Sequence, residues 1–164
     1  MSIERILQKE APQPGTFTGL SGAGLGSPEA EYEHWELIND VSTSINIHLR
    51  NSKPNFIAGT EAVSDRSVKK GYKVYDIGIK IRKDKKGPNI VLIEVCHNET
   101  LENAVDRIMK NFSSAKPVKE AFLFNYSDHT LRYYKPGVTG YTNNSICQEF
   151  NFDLDIFIKS YYSR

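Results

Sequence analysis

Residues 90–96 read Ile90-Val91-Leu92-Ile93-Glu94-Val95-Cys96, an apolar run with one carboxylate inside it. The length and the β-branched content of this run predict a strand that is covered on both faces. An ionised carboxylate in such a strand is costly unless a metal ion, a basic side chain or a bound proton compensates it. Glu94 therefore needs a partner, and among these three only a metal ion predicts chemistry.

The segment before this run supplies a second carboxylate. Residues 72–83 alternate in the manner of a strand, with Asp76 on the more polar face. Residues 84–88 are rich in turn formers, which predicts an antiparallel hairpin. If the hairpin is centred on Lys85, Asp76 and Glu94 lie opposite each other with their Cβ atoms about 5 Å apart. Two carboxylates at that distance stay ionised around a cation, and hard oxygen ligands favour magnesium or manganese.

The spacing leaves a purely structural alternative open. Asp76 could pair with Lys80 or Arg82 at the protein surface, while Glu94 meets a lysine from elsewhere in the chain. Spacing alone does not favour the metal site over these ion pairs.

The whole-chain properties set broad limits. The 164 residues suit a single domain over 1–164, with residues 1–27 as an N-terminal arm packed on it. No run of 18 apolar residues occurs, so no membrane span is expected, and the start of the sequence lacks a secretory signal. Two cysteines do not make a disulfide framework, and we expect a cytoplasmic protein. The net charge of +1 does not indicate nucleic acid, although basic residues concentrate around the predicted hairpin.

The order of predicted elements is informative. A helix begins with Ser27 as N-cap and Pro28 at its first position, and ends near Arg50. A strand over 55–63, the two hairpin strands, a helix over 99–113, strands over 119–126 and 130–135, and a helical tail over 152–161 follow. The predicted order is thus helix, three strands, helix, two strands and a helical tail.

Four stretches carry a resemblance to a known family. They are Leu92-Ile93-Glu94-Val95, the helix with Thr100, Asp106 and Lys110, the strand Pro117-Val118-Lys119-Glu120-Ala121-Phe122-Leu123-Phe124, and the ending Phe152-Asp153-Leu154-Asp155-Ile156-Phe157. Together with the αβββαβ order of the predicted elements, they resemble the PD-(D/E)XK restriction-endonuclease-like superfamily. This resemblance implies a mixed α/β (α+β) fold, in which a central mixed sheet is flanked by helices. They look closer still to a branch of short bacterial proteins of unknown function that are classed with restriction endonucleases.

The resemblance implies a metal-dependent DNA endonuclease. Asp76 and Glu94 would hold Mg²⁺ or Mn²⁺, which lowers the pKa of a water that attacks a phosphodiester. DNA would be the substrate or ligand, and many members of the superfamily act as dimers, so a homodimer is compatible with it. No organic cofactor is implied.

The resemblance also directs attention to the basic residue of the site. The superfamily usually carries a lysine two residues after the glutamate, where this chain has Cys96. In the resembled branch the lysine lies on the following helix, four residues after an aspartate, and Lys110 has that spacing from Asp106. Lys110 is therefore the catalytic candidate, although its position opposite the apolar stripe also fits an ordinary surface pair with Asp106.

Glu31 is the candidate for a third metal ligand, because members of the superfamily often place an acidic residue on the first helix near the metal. A carboxylate that merely stabilises the helix dipole would look the same in the sequence. Two functions thus remain: a metal-dependent DNA endonuclease, or a catalytically inactive nuclease-fold module that binds nucleic acid or a protein partner.

Overall fold

The computed structural model describes residues 28–63 and 74–164. The arm predicted over residues 1–27 lies outside this described part. Helix α1 (Pro28–Ser52) is followed by strands β1 (Phe56–Val63), β2 (Val74–Ile81) and β3 (Val91–Cys96). A 3₁₀ turn (Asn98–Thr100) leads into helix α2 (Leu101–Phe112), and strands β4 (Glu120–Asn125) and β5 (Thr130–Tyr134) come next. The short strands β6 (Ile146–Cys147) and β7 (Phe152–Asp153) pair with each other before the last helix, α3 (Leu154–Tyr162).

The five longer strands form one sheet in the order β1-β2-β3-β4-β5. Strands β3 and β4 run parallel and are joined through α2, whereas the other neighbours are antiparallel. The predicted mixed sheet with flanking helices is therefore confirmed. None of the helices in the described ranges has the length and apolar content needed to cross a membrane.

Both faces of the sheet are covered, which explains the continuous apolar run in β3. Val91, Ile93 and Val95 belong to a core shared with α1 and α3. Leu92 and Cys96 belong to the core formed with α2 on the opposite face. Because side chains alternate along a strand, Glu94 extends toward the α2 face.

Candidate functional site

The two strands that carry the predicted carboxylates stop pairing where these residues lie. Strands β2 and β3 pair Ile79 with Val91, Gly78 with Leu92 and Ile77 with Ile93. This register is that of a hairpin centred on Lys85, so the predicted register is confirmed. The next residues beyond the last recorded pair are Asp76 and Glu94, and the fold brings them together at the end of the ladder.

Asp76 is held by the backbone of β3 and by helix α1. Its Oδ2 accepts a hydrogen bond of 2.7 Å from the N–H of Val95, and its Oδ1 lies 3.5 Å from His34 Nε2. His34 Nε2 also lies 3.1 Å from the carbonyl oxygen of Val95. Asp76 and His34 are both buried. These side chains therefore bind the two polar backbone groups of Val95 at the point where the β2–β3 ladder has ended.

The cation that Glu94 requires is Arg107 of α2. The guanidinium donates from Nη2 to Glu94 Oε2 at 2.9 Å and from Nε to Oε1 at 3.3 Å. Glu94 is 0% exposed, and the side chain of Arg107 is 17% exposed. A two-point arginine–carboxylate contact of this kind gives both strength and a fixed orientation.

Arg107 does not neutralise the site completely. Burial and the nearby charge of Asp76 raise the pKa of Glu94 well above its usual range, although the hydrogen bonds and charge of Arg107 act in the opposite direction. The guanidinium of Arg107 hydrogen-bonds to Glu94, and the charge of Asp76 also acts on it, in a region with little solvent. A site with this excess of negative charge favours uptake of a proton or of a cation.

The structure places Lys110, the predicted catalytic lysine, in an exposed ion pair with Asp106. Its Nζ lies 2.6 Å from Asp106 Oδ2, and both side chains are more than half exposed, at 58% and 59%. On a helix with about 100° per residue, Arg107 lies about 60° from the buried Ala104, and Lys110 lies about 60° further toward solvent. Arg107 rather than Lys110 reaches Glu94.

Cys96 and Lys80 also supply no cation to Glu94. Cys96 is buried in the core on the α2 face. Burial, followed by the charges of Glu94 and Asp76, raises the pKa of its thiol to about 12. Lys80 donates from Nζ to the carbonyl oxygen of Lys85 at 2.9 Å, within the hairpin turn. Neither side chain substitutes for the lysine of the resembled superfamily.

Glu31 lies one helical turn before His34 on α1. Its Oε1 is buried and has no hydrogen-bond partner in the described part of the chain. Within residues 28–63 and 74–164, however, no group of three or more His, Cys, Asp or Glu side chains is arranged to hold a metal ion. The structure therefore brings Asp76 and Glu94 together but does not assemble Glu31 with them into a three-ligand cluster.

Sequence reasoning missed Arg107 and did not include His34 among the candidate site residues. The sequence carried a signal for Arg107, because it lies three residues after Ala104 and directly before Ile108, two apolar residues that the structure buries. That spacing places Arg107 at the edge of the buried face of α2. The glutamate in the apolar strand and an arginine next to the apolar face of the following helix together predict the ion pair.

The fold is similar to that of a solved structure. A protein from Anabaena variabilis ATCC 29413, described as a "putative nuclease belonging to DUF820", superposes with a TM-score of 0.59 at 12% sequence identity. The similarity covers 79% of this chain and 82% of that chain. At this identity the comparison shows a nuclease-like fold. No family model and no curated protein matches the chain.

Proposed function

We propose that this protein is a metal-dependent DNA endonuclease of the PD-(D/E)XK type, with Asp76 and Glu94 as the metal ligands. The observation that carries the proposal is the pair of buried carboxylates at the end of the β2–β3 ladder, with the Arg107 guanidinium against one of them. The nuclease-like fold of the Anabaena protein supports the same assignment.

The donor set fits magnesium better than a softer metal. Carboxylate oxygens are hard ligands, and magnesium is commonly held by only one or two protein carboxylates together with water and substrate phosphate. A two-carboxylate site therefore suffices without Glu31. Burial, and after it the charge of Asp76, raises the pKa of Glu94 although Arg107 acts in the opposite direction, and a cation bound at this pair would favour the ionised form of Glu94. When bound, the metal would lower the pKa of a water and stabilise charge on the phosphoryl group.

Arg107 takes the place that a lysine has in the resembled superfamily. It reaches Glu94 from the following helix, as the lysine does in the branch that the sequence resembles. A guanidinium has five donors and remains protonated, so it can orient a phosphate and stabilise developing negative charge. It cannot serve as the base that takes a proton from water.

Basic residues on the hairpin turn suit a polyanionic substrate. Arg82, Lys83, Lys85 and Lys86 are exposed on the segment that joins β2 to β3. The turn begins six residues beyond Asp76, about 20 Å away along the strand. The turn would therefore contact the phosphate backbone away from the bond that is cut.

A second function is favoured by the same ion pair. Both oxygens of the fully buried Glu94 are bound by Arg107, and Asp76 caps a backbone N–H. These contacts would suit an inactive nuclease-fold module in which the carboxylates are structural. Catalysis by the first function requires Glu94 to bind a metal ion with the oxygen lone pairs that Arg107 does not use.

The test is nicking of supercoiled plasmid by purified protein in Mg²⁺, in Mn²⁺ and in EDTA. We expect metal-dependent nicking by the wild type, loss of more than about 100-fold in Glu94→Gln, and a comparable loss in Arg107→Met. Lys110→Met is the matched control, because it removes a cation from the exposed side of the same helix. It should nick at the wild-type rate.

Two results would contradict the proposal that this protein is an endonuclease. Absence of nicking in every metal, with the wild type folded, would leave the inactive module. Nicking that persists in Glu94→Gln would assign the activity to a contaminant. A loss in Lys110→Met that matches the loss in Arg107→Met would return the basic role to Lys110.

A further inference from the structure

His34 makes more specific contacts than a packed core imidazole does. Its Nε2 lies 3.1 Å from the carbonyl oxygen of Val95 and 3.5 Å from Asp76 Oδ1. Only 2% of the residue is exposed. Both neighbours of Nε2 are acceptors, so the ring proton belongs on Nε2, which donates to them.

The other ring nitrogen does not compete for the orientation of the imidazole. Nδ1 is buried and has no hydrogen-bond partner among the residues that the structure describes. The ring packs against Trp35 and Tyr126, with centroid separations of 6.0 and 6.3 Å. Packing and the two contacts of Nε2 together fix the ring in place.

We propose that His34 is a positioning residue that holds Asp76 in the orientation needed to bind a divalent cation. The backbone N–H and carbonyl of one strand residue point to the same side, and those of Val95 are bound by Asp76 Oδ2 and by His34 Nε2. Because His34 also approaches Oδ1, both oxygens of Asp76 are restrained. The inference rests on the proposed function, since the orientation of Asp76 matters to a metal only if a metal binds there.

The expected effect follows from what such neighbours do in metal sites. Groups that orient a ligand typically change metal affinity by about 10–100-fold when they are removed. His34→Leu retains apolar bulk and removes Nε2, whereas His34→Gln retains an amide nitrogen that can donate in the same direction. We expect Mn²⁺ to bind about tenfold more weakly to His34→Leu and close to the wild-type affinity to His34→Gln.

The experiment combines metal binding with a readout that needs no metal. Mn²⁺ titrations followed by electron paramagnetic resonance give the affinity of the wild type and of both variants. A double-mutant cycle with His34→Leu and Asp76→Asn, measured by urea unfolding without metal, gives their coupling. We expect the combined change in the unfolding equilibrium constant to differ at least about threefold from the product of the single changes.

The wild type provides a further check without any substitution. Long-range ¹H–¹⁵N spectra of the imidazole report which ring nitrogen carries the proton. A spectrum with the proton on Nε2 is expected. A spectrum with the proton on Nδ1 would overturn the inference, because Nε2 could then not donate to Val95 or Asp76.

The outcomes separate this inference from the proposed function. Mn²⁺ binding that is equally weakened in His34→Leu and His34→Gln, or unchanged in both, overturns the positioning role. Additive substitutions in the double-mutant cycle overturn it as well. A third outcome is that the double-mutant cycle shows coupling between His34 and Asp76 but the wild type binds no Mn²⁺. This outcome would overturn both the metal-dependent nuclease and the inference built on it, and the contact between the two residues would be structural.

Discussion

At the scale of single residues, Arg107 is the cation that favours the charged form of the buried Glu94, against burial and the charge of Asp76. The glutamate is 0% exposed, and the guanidinium of Arg107 binds both of its oxygens. Removing one member of a buried ion pair is far more costly than removing one member of an exposed pair, because the remaining buried charge loses its counter-ion. The stability of the fold and the chemistry of the candidate site thus depend on the same contact.

Arg107→Met should therefore lower the free energy of unfolding by about 3 kcal/mol in urea denaturation at pH 7. Lys110→Met, which removes a cation from an exposed pair, should cost less than about 1 kcal/mol. The double substitution Arg107→Met with Glu94→Gln should recover part of the loss, since a neutral amide needs no counter-ion. Equal destabilisation by Arg107→Met and Lys110→Met would show that the pair with Glu94 does not stabilise the fold.

The two cysteines make a second prediction at this scale. Burial is the main cause that raises the pKa of both thiols, to about 12 for Cys96 and further for Cys147, where Glu120 adds to it. Since both thiols remain protonated in the folded state, neither should react with a disulfide reagent at pH 8 until the protein unfolds.

The same shifts give a sign for the pH dependence of stability. A thiol whose pKa is raised on folding contributes stability below its unfolded value near 8.5, and that contribution is lost as the pH rises toward the folded value. At pH 9.5 the free energy of unfolding should have fallen by about 1.4 kcal/mol for each thiol. Urea titrations from pH 7.5 to 9.5 measure the fall. Cys147→Ala should show a smaller fall in the free energy of unfolding. A fall equal to that of the wild type would contradict the raised pKa of Cys147.

At the scale of elements, most helices and strands follow from local patterns. The N-cap and proline at the start of α1, the alternation of β2 and the turn residues after it predict their elements, because each pattern depends only on neighbours along the chain. The register that joins Asp76 to Glu94 follows from the turn for the same reason. The short pair β6 and β7 was not predicted, because two-residue strands leave no period to detect.

Glu120 shows why the remaining contacts escaped prediction. It is the first residue of β4, and its partners come from β5, from β6 and from the segment after β6, which no local pattern connects. Its Oε1 accepts hydrogen bonds from Tyr133 Oη and from the N–H of Gln148, both at 2.8 Å. Its Oε2 accepts from the N–H of Glu149 at 2.9 Å and from Cys147 Sγ at 3.3 Å.

Glu120→Gln should accordingly destabilise the protein by about 2–4 kcal/mol, because the amide nitrogen would face backbone donors that lose their acceptor. Hydrogen exchange at Gln148 and Glu149 should accelerate as well. Glu149→Gln is the matched control, since that carboxylate lies 3.6 Å from an exposed lysine, Lys119. If the two substitutions cost the same, Glu120 does not hold this segment to the sheet.

At the scale of the whole molecule, the nuclease-like fold restricts the function less than the charge of its central site does. The superposition with the Anabaena protein concerns the course of the backbone, at 12% identity. An active nuclease and an inactive module would share that backbone. They differ in whether the pair Asp76 and Glu94 accepts a cation when Arg107 is already present.

A change in stability on metal binding distinguishes an active nuclease from an inactive module without any substrate. A ligand that binds only the folded protein stabilises it by about 2.7 kcal/mol at 100 times its dissociation constant, which for a domain of this size raises the melting temperature by about 5–10 °C. We expect Mn²⁺ to produce this rise in the wild type, EDTA to reverse it, and Glu94→Gln to abolish it. Asp106→Asn, which removes an exposed carboxylate from α2, should retain the full shift. A rise of equal size in Glu94→Gln would place the metal elsewhere, and no rise in the wild type would favour the inactive module, in which Arg107 is the permanent counter-ion of Glu94.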